Sequence, residues 1–408
     1  MSNDTQPEIR FPGFTEAWEQ RKVSSVTKFH KQGFYTKEPY GEDKKYYLLR
    51  GTEMTTNTLK LNDTPRVNAT DKDYKDFKVK KGDFLIVRSG TVGIYGIVYD
   101  DIPAIFGSYL INFRFDLDVV TNEFFGLFYQ SDLFKKQLSK IIQKSSNINI
   151  NAENIKSTNI TLPKIEEQQK IGTFFKQLDN AIALHQRKLD LLKETKKGFL
   201  QKMFPKNGAK VPEIRFPGFT EDWEERKLGE IVRISSGFTG DSSLNIGQYE
   251  LTRIETIATG QVNPNKVGYS NTEPDKKYLL DKGDILFSNI NSLSHIGKIA
   301  LFDLDMKLYH GINLLRLQPM NVNSQFLYQS FQLNNHLEWA KSHANQAVSQ
   351  ASINQTELSK QVFLVPSQQE QQKIGTFFKQ LDDIITLHQR KLDLLKETKK
   401  GFLQKMFV

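Results

Sequence analysis

The sequence predicts an α+β protein built twice, with two similar mixed α/β domains separated by two long coiled-coil helices. Three observations predict it. Two segments of the chain recur almost unchanged, one of them has a continuous heptad pattern, and the stretches between them carry strand patterns. A chain of 408 residues is also too long for one ordinary hydrophobic core, so two to three domains are expected.

The repeated segments divide the chain into two halves. Residues 7–22 read PEIRFPGFTEAWEQRK, and residues 212–227 match them at 14 of 16 positions. Residues 167–204 return at 370–407 with three changes, which are Asn180/Asp383, Ala181/Ile384 and Ala183/Thr386. We interpret this pattern as an internal duplication with pseudo-two-fold symmetry.

The stretches between the repeats have nearly equal lengths but share only traces. Residues 23–166 and 228–369 number 144 and 142, and both contain the tripeptide Lys-Gly-Asp. We interpret these variable blocks as two copies of one fold with different surfaces. The predicted boundaries are a first domain at 1–166, a first helix at 167–204, a linker at 205–211, a second domain at 212–369 and a second helix at 370–408.

The second repeat has the spacing of a coiled coil. Its apolar seam alternates steps of four and three residues, a 3.5-residue period that needs a helical partner. The predicted seam residues are Ile171, Phe175, Leu178, Ile182, His185, Leu189, Leu192, Lys196, Phe199 and Met203, then Ile374, Phe378, Leu381, Ile385, His388, Leu392, Leu395, Lys399, Phe402 and Met406. The other copy in the chain is the obvious partner, and an external subunit is the alternative. The two seam histidines are interpreted as polar residues that fix the register, with a metal or pH-sensing role as the alternative.

The variable blocks combine strand and helix patterns. A Lys-Gly-Asp turn precedes a strand in each block. Strands are predicted at 46–50, 84–88, 94–99, 110–115, 285–289, 299–302 and 312–317, and amphipathic helices at 122–143 and 323–345. Each block is therefore expected to be a sheet with at least one packed helix.

Composition limits the class of partner and the compartment. The net charge is +9 and the isoelectric point about 9.2, which favours a polyanionic partner such as nucleic acid. A mildly basic protein without such a partner is the alternative. The chain has no cysteine, its first residues do not form a signal peptide, and no stretch is long enough to cross a bilayer. We therefore expect a cytoplasmic protein.

Motifs for catalysis are missing from the sequence. There is no Walker A loop, no His-Glu-x-x-His and no Cys/His cluster. The Asn-Pro-Pro-aromatic tetrad of amino-methyltransferases is also missing. We expect no catalytic residue, no metal site and no bound cofactor in this chain.

Polar loops are the remaining candidates for function. They lie where the two blocks differ most, and their Arg, Asn, Gln and Ser side chains are of the types that contact base edges in the major groove. The candidate DNA-binding residues are Arg88, Ser89, Thr91, Lys144, Ser145, Ser146, Asn147 and Asn149 in the first block, and Asn289, Asn291, Ser292, Ser294, His295, Asn345, Gln346, Ser349 and Gln350 in the second.

The layout as a whole resembles the specificity subunit of type I restriction–modification systems. The resemblance rests on the duplicated Pro-Glu-Ile-Arg-Phe-Pro-Gly-Phe segments, the Glu-Gln-Gln-Lys-Ile helix starts at 167–171 and 370–374, and the alternation of constant and variable blocks. It implies that the two helices pack antiparallel as a spacer and dock modification subunits. It also implies that each variable block is a target-recognition domain that reads one half of a bipartite, asymmetric site in double-stranded DNA.

The resemblance also assigns the missing chemistry to other chains. Two modification (methyltransferase) subunits would bring adenine methylation and S-adenosylmethionine, and restriction subunits would bring ATP, Mg²⁺ and cleavage. One alternative is a coiled-coil scaffold whose variable domains bind proteins. Another is a self-contained DNA enzyme, which the missing motifs disfavour. Salt-sensitive DNA binding would separate the DNA-binding subunit from the scaffold.

Overall fold

A computed structural model of the chain describes residues 6–54, 57–88, 93–141, 150–206, 208–346 and 350–407. Two compact units account for the packing. Unit 1 comprises Met1–His185 with Lys391–Val408, and unit 2 comprises Gln186–Arg390. The boundaries fall inside the two long helices, so each unit contains one variable block together with parts of both helices. The boundaries predicted from the sequence had instead placed the two long helices outside the two domains.

Unit 1 is an antiparallel sheet covered by helices, with a smaller sheet beside it. Its four-stranded sheet has the order β2-β8-β5-β6, its three-stranded sheet the order β4-β3-β7, and β1 pairs with β9. The strands are β1 (Glu19–Lys22), β2 (Thr27–Gln32), β3 (Tyr46–Leu49), β4 (Arg66–Val67), β5 (Phe84–Val87), β6 (Tyr95–Ile97), β7 (Ala104–Phe106), β8 (Leu110–Phe115) and β9 (Asn159–Leu162). The helices are α1 (Asp71–Phe77), α2 (Asn122–Gln130), α3 (Asp132–Ile141), α4 (Ala152–Lys156) and the start of α5 (Ile165–Lys202).

Unit 2 repeats this arrangement. Its four-stranded sheet, β11-β17-β14-β16, matches β2-β8-β5-β6 strand for strand, and β10 pairs with β20 as β1 pairs with β9. The strands are β10 (Glu224–Lys227), β11 (Val232–Ser236), β12 (Tyr249–Leu251), β13 (Gly268–Ser270), β14 (Ile285–Phe287), β15 (Ile290–Asn291), β16 (Ile299–Leu301), β17 (Leu315–Pro319), β18 (Asn345–Gln346), β19 (Ala351–Ser352) and β20 (Val362–Val365). The helices are α6 (Leu228–Ile231), α7 (Ser324–Phe331), α8 (Asn334–Ser342), α9 (Gln355–Leu358) and α10 (Gln368–Lys405). The prediction of one α+β fold in two copies is confirmed.

The shared Lys-Gly-Asp tripeptide is a turn that feeds the central strand. The carboxylate of Asp83 accepts the backbone N–H of Lys80 at 2.9 Å, and that of Asp284 accepts the N–H of Asp281 at 2.7 Å. Gly82 and Gly283 lie at φ +88° and +99°, a conformation that favours glycine. The tripeptide therefore occurs in both blocks because the turn requires a glycine at positive φ and an aspartate that accepts a backbone N–H.

Each predicted amphipathic helix is two helices in the structure. The stretch 122–143 breaks between α2 and α3 at Ser131, whose hydroxyl donates to Phe128 O and accepts the N–H of Phe134. The stretch 323–345 breaks between α7 and α8, where Leu333 is extended at φ −69° and ψ 143°. The single-helix prediction was wrong because a bend lets two short amphipathic helices each bury an apolar face.

The long helices α5 and α10 are 38 residues each and begin two residues before the predicted starts. In unit 1, the rings of Phe174 and Phe402 are 5.0 Å apart, and Lys399 contacts Asp179 at 2.7 Å. These contacts join the early part of α5 to the late part of α10, so the helices pack antiparallel. In the part of the chain that the structure describes, no helix is both long and apolar enough to cross a membrane.

Unit 2 repeats the helix contacts with the roles of α5 and α10 exchanged. The rings of Phe199 and Phe377 are 5.1 Å apart, and Lys196 contacts Asp382 at 2.8 Å. All predicted seam residues are buried or half-buried. The two seam lysines, Lys196 and Lys399, reach aspartates on the facing helix instead of packing as apolar groups.

The leading segments of the two halves, residues 7–22 and 212–227, hold the helix ends together. Arg10 makes two hydrogen bonds to the buried carboxylate of Glu167, at 2.7 and 2.8 Å, and Ile9 N–H donates to Lys405 O at 3.3 Å. The first leading segment therefore ties the start of α5 to the end of α10. In unit 2 the matching bonds are Arg215 to Glu370 and Ile214 N–H to Lys202 O.

Candidate nucleic-acid interface

The predicted DNA-binding residues fall partly inside and partly outside the described chain. Those outside the described residues are Ser89, Thr91, Lys144, Ser145, Ser146, Asn147, Asn149 and Ser349. The structure describes Arg88 in unit 1, and Asn289, Asn291, Ser292, Ser294, His295, Asn345, Gln346 and Gln350 in unit 2.

In unit 1, Arg88 lies where the two predicted loops meet. It follows β5, and its backbone C=O accepts the N–H of Ile150 at 2.7 Å. Its own N–H donates to Tyr109 O at 3.0 Å. Three chain segments that are far apart in sequence therefore converge on one residue, whose side chain is partly exposed.

In unit 2, a small sheet brings the two predicted loops together. Strands β15, β19 and β18 form it in that order, so Asn291 and Gln346 both pair with Ala351. Ile353 N–H donates to Asn289 O at 2.9 Å, as Ile150 N–H does to Arg88 O in unit 1. The loops that differ most in sequence thus leave the same strand end in both units.

Two of the predicted residues use their side chains inside the loop. Asn289 is 9% exposed, and its amide donates to Ile353 O at 3.3 Å. The amide of Asn291 donates to the Ser288 hydroxyl at 3.2 Å, and its carbonyl oxygen accepts the N–H of Ser292 at 2.8 Å. Both asparagines therefore hold the shape of the loop, and they are less accessible to a base than the sequence suggested.

The remaining predicted residues of unit 2 face solvent. The exposed side chains are Ser292, Ser294, His295, Asn345, Gln346 and Gln350. His295 Nδ1 lies 2.8 Å from the Ser292 hydroxyl and 2.9 Å from that of Ser294, which fixes the orientation of the imidazole. Hydroxyl, imidazole and amide groups can donate and accept hydrogen bonds at base edges.

The structure adds a turn that was not among the loops predicted from the sequence. Residues 107–110 in unit 1 and 311–314 in unit 2 connect to the central sheets beside the loops. They expose Tyr109, Ile312 and Asn313. Both turns read Gly-x-x-Leu, and that shared spacing is the signal that could have found them.

Among the described residues, no three His, Cys, Asp or Glu side chains are grouped so that they could hold a metal ion. Two buried histidines of unit 2 have pKa values lowered to about 4 by burial, His310 and His336. Both side chains are buried, and His310 directly precedes the turn at 311–314, so their shifts concern stability.

The fold is a module of a sheet, packed helices and exposed polar loops that is present twice in one chain. Residues 15–194 and 220–397 each match the family model described as type I restriction modification DNA specificity domain. The two matches cover most of the chain, so the protein belongs to this family. Membership does not favour the alternative of a coiled-coil scaffold.

Individual relatives agree with the family. The chain is 38% identical over 195 residues to the putative type I restriction enzyme MjaX specificity subunit of Methanocaldococcus jannaschii, covering 46% of either chain. A match to the MjaVIII specificity subunit of the same organism, at 25% identity, covers 61% of that protein. The chain thus spans about half to three fifths of the length of these two curated relatives. The StySPI specificity subunit of Salmonella potsdam is 23% identical over 387 residues, or 90% of this chain and 82% of that one.

Solved structures show the same fold. The S subunit of a type I restriction–modification system from M. genitalium superposes with a TM-score of 0.64 at 18% identity, covering 99% of both chains. A second structure, described as bearing on complex assembly and conformational transition of the type I R-M system, gives a TM-score of 0.52 at 17% identity and covers 97% of this chain and 98% of that one.

Proposed function

We propose that this chain is the DNA-specificity subunit of a type I restriction–modification complex, and that each unit reads one half of a bipartite, asymmetric site in double-stranded DNA. One observation carries the proposal. The two units share the four-stranded sheet, the antiparallel contact between α5 and α10, and the strand end from which the polar loops depart. The polar residues at that strand end differ. They lie around Arg88 in unit 1, and around Ser292–His295 and Asn345–Gln346 in unit 2. Two different surfaces on one repeated frame suit two different half-sites.

The constant parts support a second element of the proposal, the binding of two identical partners. The leading segments and the long helices are nearly the same in both halves, including exposed leucines at equivalent positions, Leu184 with Leu387 and Leu191 with Leu394. A surface that occurs twice can bind the same protein twice. We propose that two modification subunits dock on the constant parts and that the helices set the spacing of the half-sites.

The chemistry of the complex is assigned to the partner subunits. S-adenosylmethionine would be bound by the modification subunits, and ATP and Mg²⁺ by restriction subunits that join the assembled complex. The present chain would contribute recognition without catalysis or a cofactor of its own, and we propose that it acts in the cytoplasm, where the DNA is.

The test is methylation of DNA in cells that lack other methyltransferases. The chain is expressed with its modification subunits, and modified adenines are mapped across the genome. One split, non-palindromic sequence should carry the mark. Random marks, or labelling of DNA by this chain alone when supplied with S-adenosylmethionine, would contradict the proposal.

Salt dependence separates the specificity subunit from a protein-binding scaffold. A basic reader releases counterions from DNA phosphates, so the affinity of the assembled complex should fall by orders of magnitude between about 50 and 200 mM salt. A flat response would exclude phosphate-dominated DNA binding.

A further inference from the structure

The turn at the end of the central sheet is fixed by direct contact between backbones. In unit 1 a Cβ atom on Gly33 would lie 2.1 Å from Gly107 O, and in unit 2 a Cβ on Gly237 would lie 2.3 Å from the carbonyl group of Gly311. No side chain fits at either crossing. The same pair of glycines at the same place in both units shows that the close approach belongs to the fold.

Hydrogen bonds hold the turn on both sides of the crossing. In unit 1, Phe34 N–H donates to Phe106 O at 2.8 Å, and Gly107 N–H donates to Leu49 O at 2.9 Å. The turn is thus attached to two neighbouring segments.

In unit 2, Phe238 N–H donates to His310 O at 2.8 Å, and Ile312 N–H donates to Phe238 O at 2.9 Å. The Gly311 N–H donates to the Thr252 hydroxyl at 2.9 Å. A turn bound at this many points holds its backbone, and so the Cα–Cβ bonds of its outer residues, in a fixed place.

The outer side chains of this rigid turn are exposed and chemically different in the two units. Tyr109 is 69% exposed and Ile312 is 46% exposed, and Asn313 is exposed as well. Among the described residues, Tyr109 and Asn313 make no side-chain hydrogen bond.

The turn lies beside the polar loops. Tyr109 O accepts the N–H of Arg88 at 3.0 Å. In unit 2, Phe287 pairs with Leu315 at the end of the sheet, and Asn289 and Asn313 each lie two residues beyond this last pair. In each unit the turn therefore lies at the strand end from which the first polar loop departs.

We propose that this turn is a second base-reading element in each unit, with Tyr109 contacting one half-site and Ile312 with Asn313 contacting the other. Asparagine can form two hydrogen bonds to adenine, and an apolar side chain can contact the thymine methyl group. Tyrosine offers a hydroxyl and a ring. The inference rests on the proposed function, and it adds a rigid element to the loops on which the sequence prediction relied.

The experiment is selection of randomised DNA duplexes by the assembled complex, followed by sequencing of the bound fraction. Tyr109→Ala and Asn313→Ala are compared with Leu117→Ala and Met320→Ala. The control residues are 50% and 37% exposed and follow the opposite ends of β8 and β17, about 20 Å away along the strand. Thermal unfolding of each variant establishes that it is folded.

We expect Tyr109→Ala to lower base preference at one or two positions of one half-site, by about 5- to 100-fold. Asn313→Ala should do so in the other half-site, and neither control should change either. Unchanged preferences for Tyr109→Ala and Asn313→Ala, or an equal loss of affinity on all sequences, would overturn the inference while leaving the proposed function intact. A wild-type complex that enriches no sequence would instead reject the proposed function.

Discussion

At the scale of single residues, the buried ion pairs of the two units show how one fold tolerates divergent sequences. Asp83 accepts hydrogen bonds from Arg114 and Asn112, each at 2.6 Å. In unit 2, Asp284 is paired at 2.5 Å with Arg316, and burial raises the pKa of the Asp284 carboxyl. Strand pairing makes Arg316 the counterpart of Asn112. The aspartate is kept, and the arginine that neutralises it has moved by two strand positions.

This exchange predicts a compensated double variant. Arg316→Ala leaves Asp284 buried and unpaired, and should lower the free energy of unfolding by about 3–5 kcal/mol. A variant that carries the residues of unit 1 at these positions, Arg316→Asn with Gln318→Arg, should recover most of the lost free energy of unfolding. Urea unfolding measures both, and Arg226→Ala, which removes an exposed arginine, is the control. Equal stability of wild type and Arg316→Ala would contradict the inference that Arg316 neutralises the buried Asp284 carboxylate.

A second residue-scale difference concerns acid stability. His336 stacks on Phe363 with ring centroids 4.0 Å apart, and Gln361 Nε2 lies 3.1 Å from its Nδ1. The corresponding position in α3 of unit 1 is Phe134, which is buried. Burial lowers the pKa of His336 to about 4, against 6.5 for an exposed histidine. The native state therefore holds this side chain neutral where the unfolded chain would take up a proton.

Acid should for this reason destabilise the protein through His336. The stabilisation is complete above pH 6.5 and is lost as the pH falls toward 4, at a cost of about 2 kcal/mol by pH 5. The variant His336→Phe with Gln361→Thr, which carries the residues found at the equivalent positions 134 and 158, should lose correspondingly less stability between pH 7 and pH 5. Urea unfolding of the variant and the wild type at pH 7 and pH 5 measures this difference in stability. An identical pH dependence of variant and wild type would mean that His336 titrates normally.

At the scale of elements, the sequence predicted best the two helices that contain a repeated heptad pattern. The ten-residue seam of each long helix predicted its extent to within three residues at either end, because a continuous heptad pattern is typical of a coiled-coil helix. The breaks in the shorter helices were harder to predict. Ser131 before Asp132 is a recognisable helix start, but Leu333 has no capping side chain, and only tertiary packing sets that bend.

The sequence indicates which loops form the candidate site, but not how their side chains are used. The divergence between the two blocks pointed to the loops after β5 and β14. The side-chain amides of Asn289 and Asn291 bond to Ser288, Ser292 and Ile353 inside the loop. Only the fold brings these groups into contact, so the sequence could not show it. The glycine crossing at Gly33 and Gly107 joins residues 74 positions apart, so no local pattern reveals it.

The proposed role of α5 as a spacer predicts the effect of a proline. Leu189 is 1% exposed on the seam. Leu189→Pro removes a helical hydrogen bond and adds a clash, costing about 3 kcal/mol or more. Helical content and site-specific methylation should fall together, and Leu191→Ala, at a residue 67% exposed, should leave helical content unchanged. Normal methylation by a folded Leu189→Pro protein would refute the spacer role.

At the scale of the whole molecule, each unit is completed by the helix end of the other half of the chain. In unit 1, Phe407 from the end of the second half packs against Phe124 at 5.3 Å and Trp18 at 6.3 Å. In unit 2, Phe204 from the first half packs against Phe326 at 5.5 Å and Trp223 at 5.8 Å. The two halves thus exchange equivalent residues.

This exchange predicts that one half can assemble with itself. In a fragment of residues 1–205, Phe204 of each copy can occupy the place of Phe407 in the other, because the two helices are identical at 35 of 38 positions. The ion pair of Asp179 with Lys399 would be replaced by Asp179 with Lys196, the equivalent lysine. We expect a two-fold symmetric homodimer, the commonest oligomer geometry.

With modification subunits, the fragment dimer should methylate a palindromic site made of the first half-site and its inverse, at nearly the parent's spacing. The mass of the fragment in solution and the sequences it marks are the two measurements. Phe204→Ala is the matched variant, since it should weaken the dimer by removing the ring that fills the partner's core, at about 3–5 kcal/mol for each copy. A fragment that stays monomeric, or a dimer that marks an asymmetric site, would show that the halves are not interchangeable.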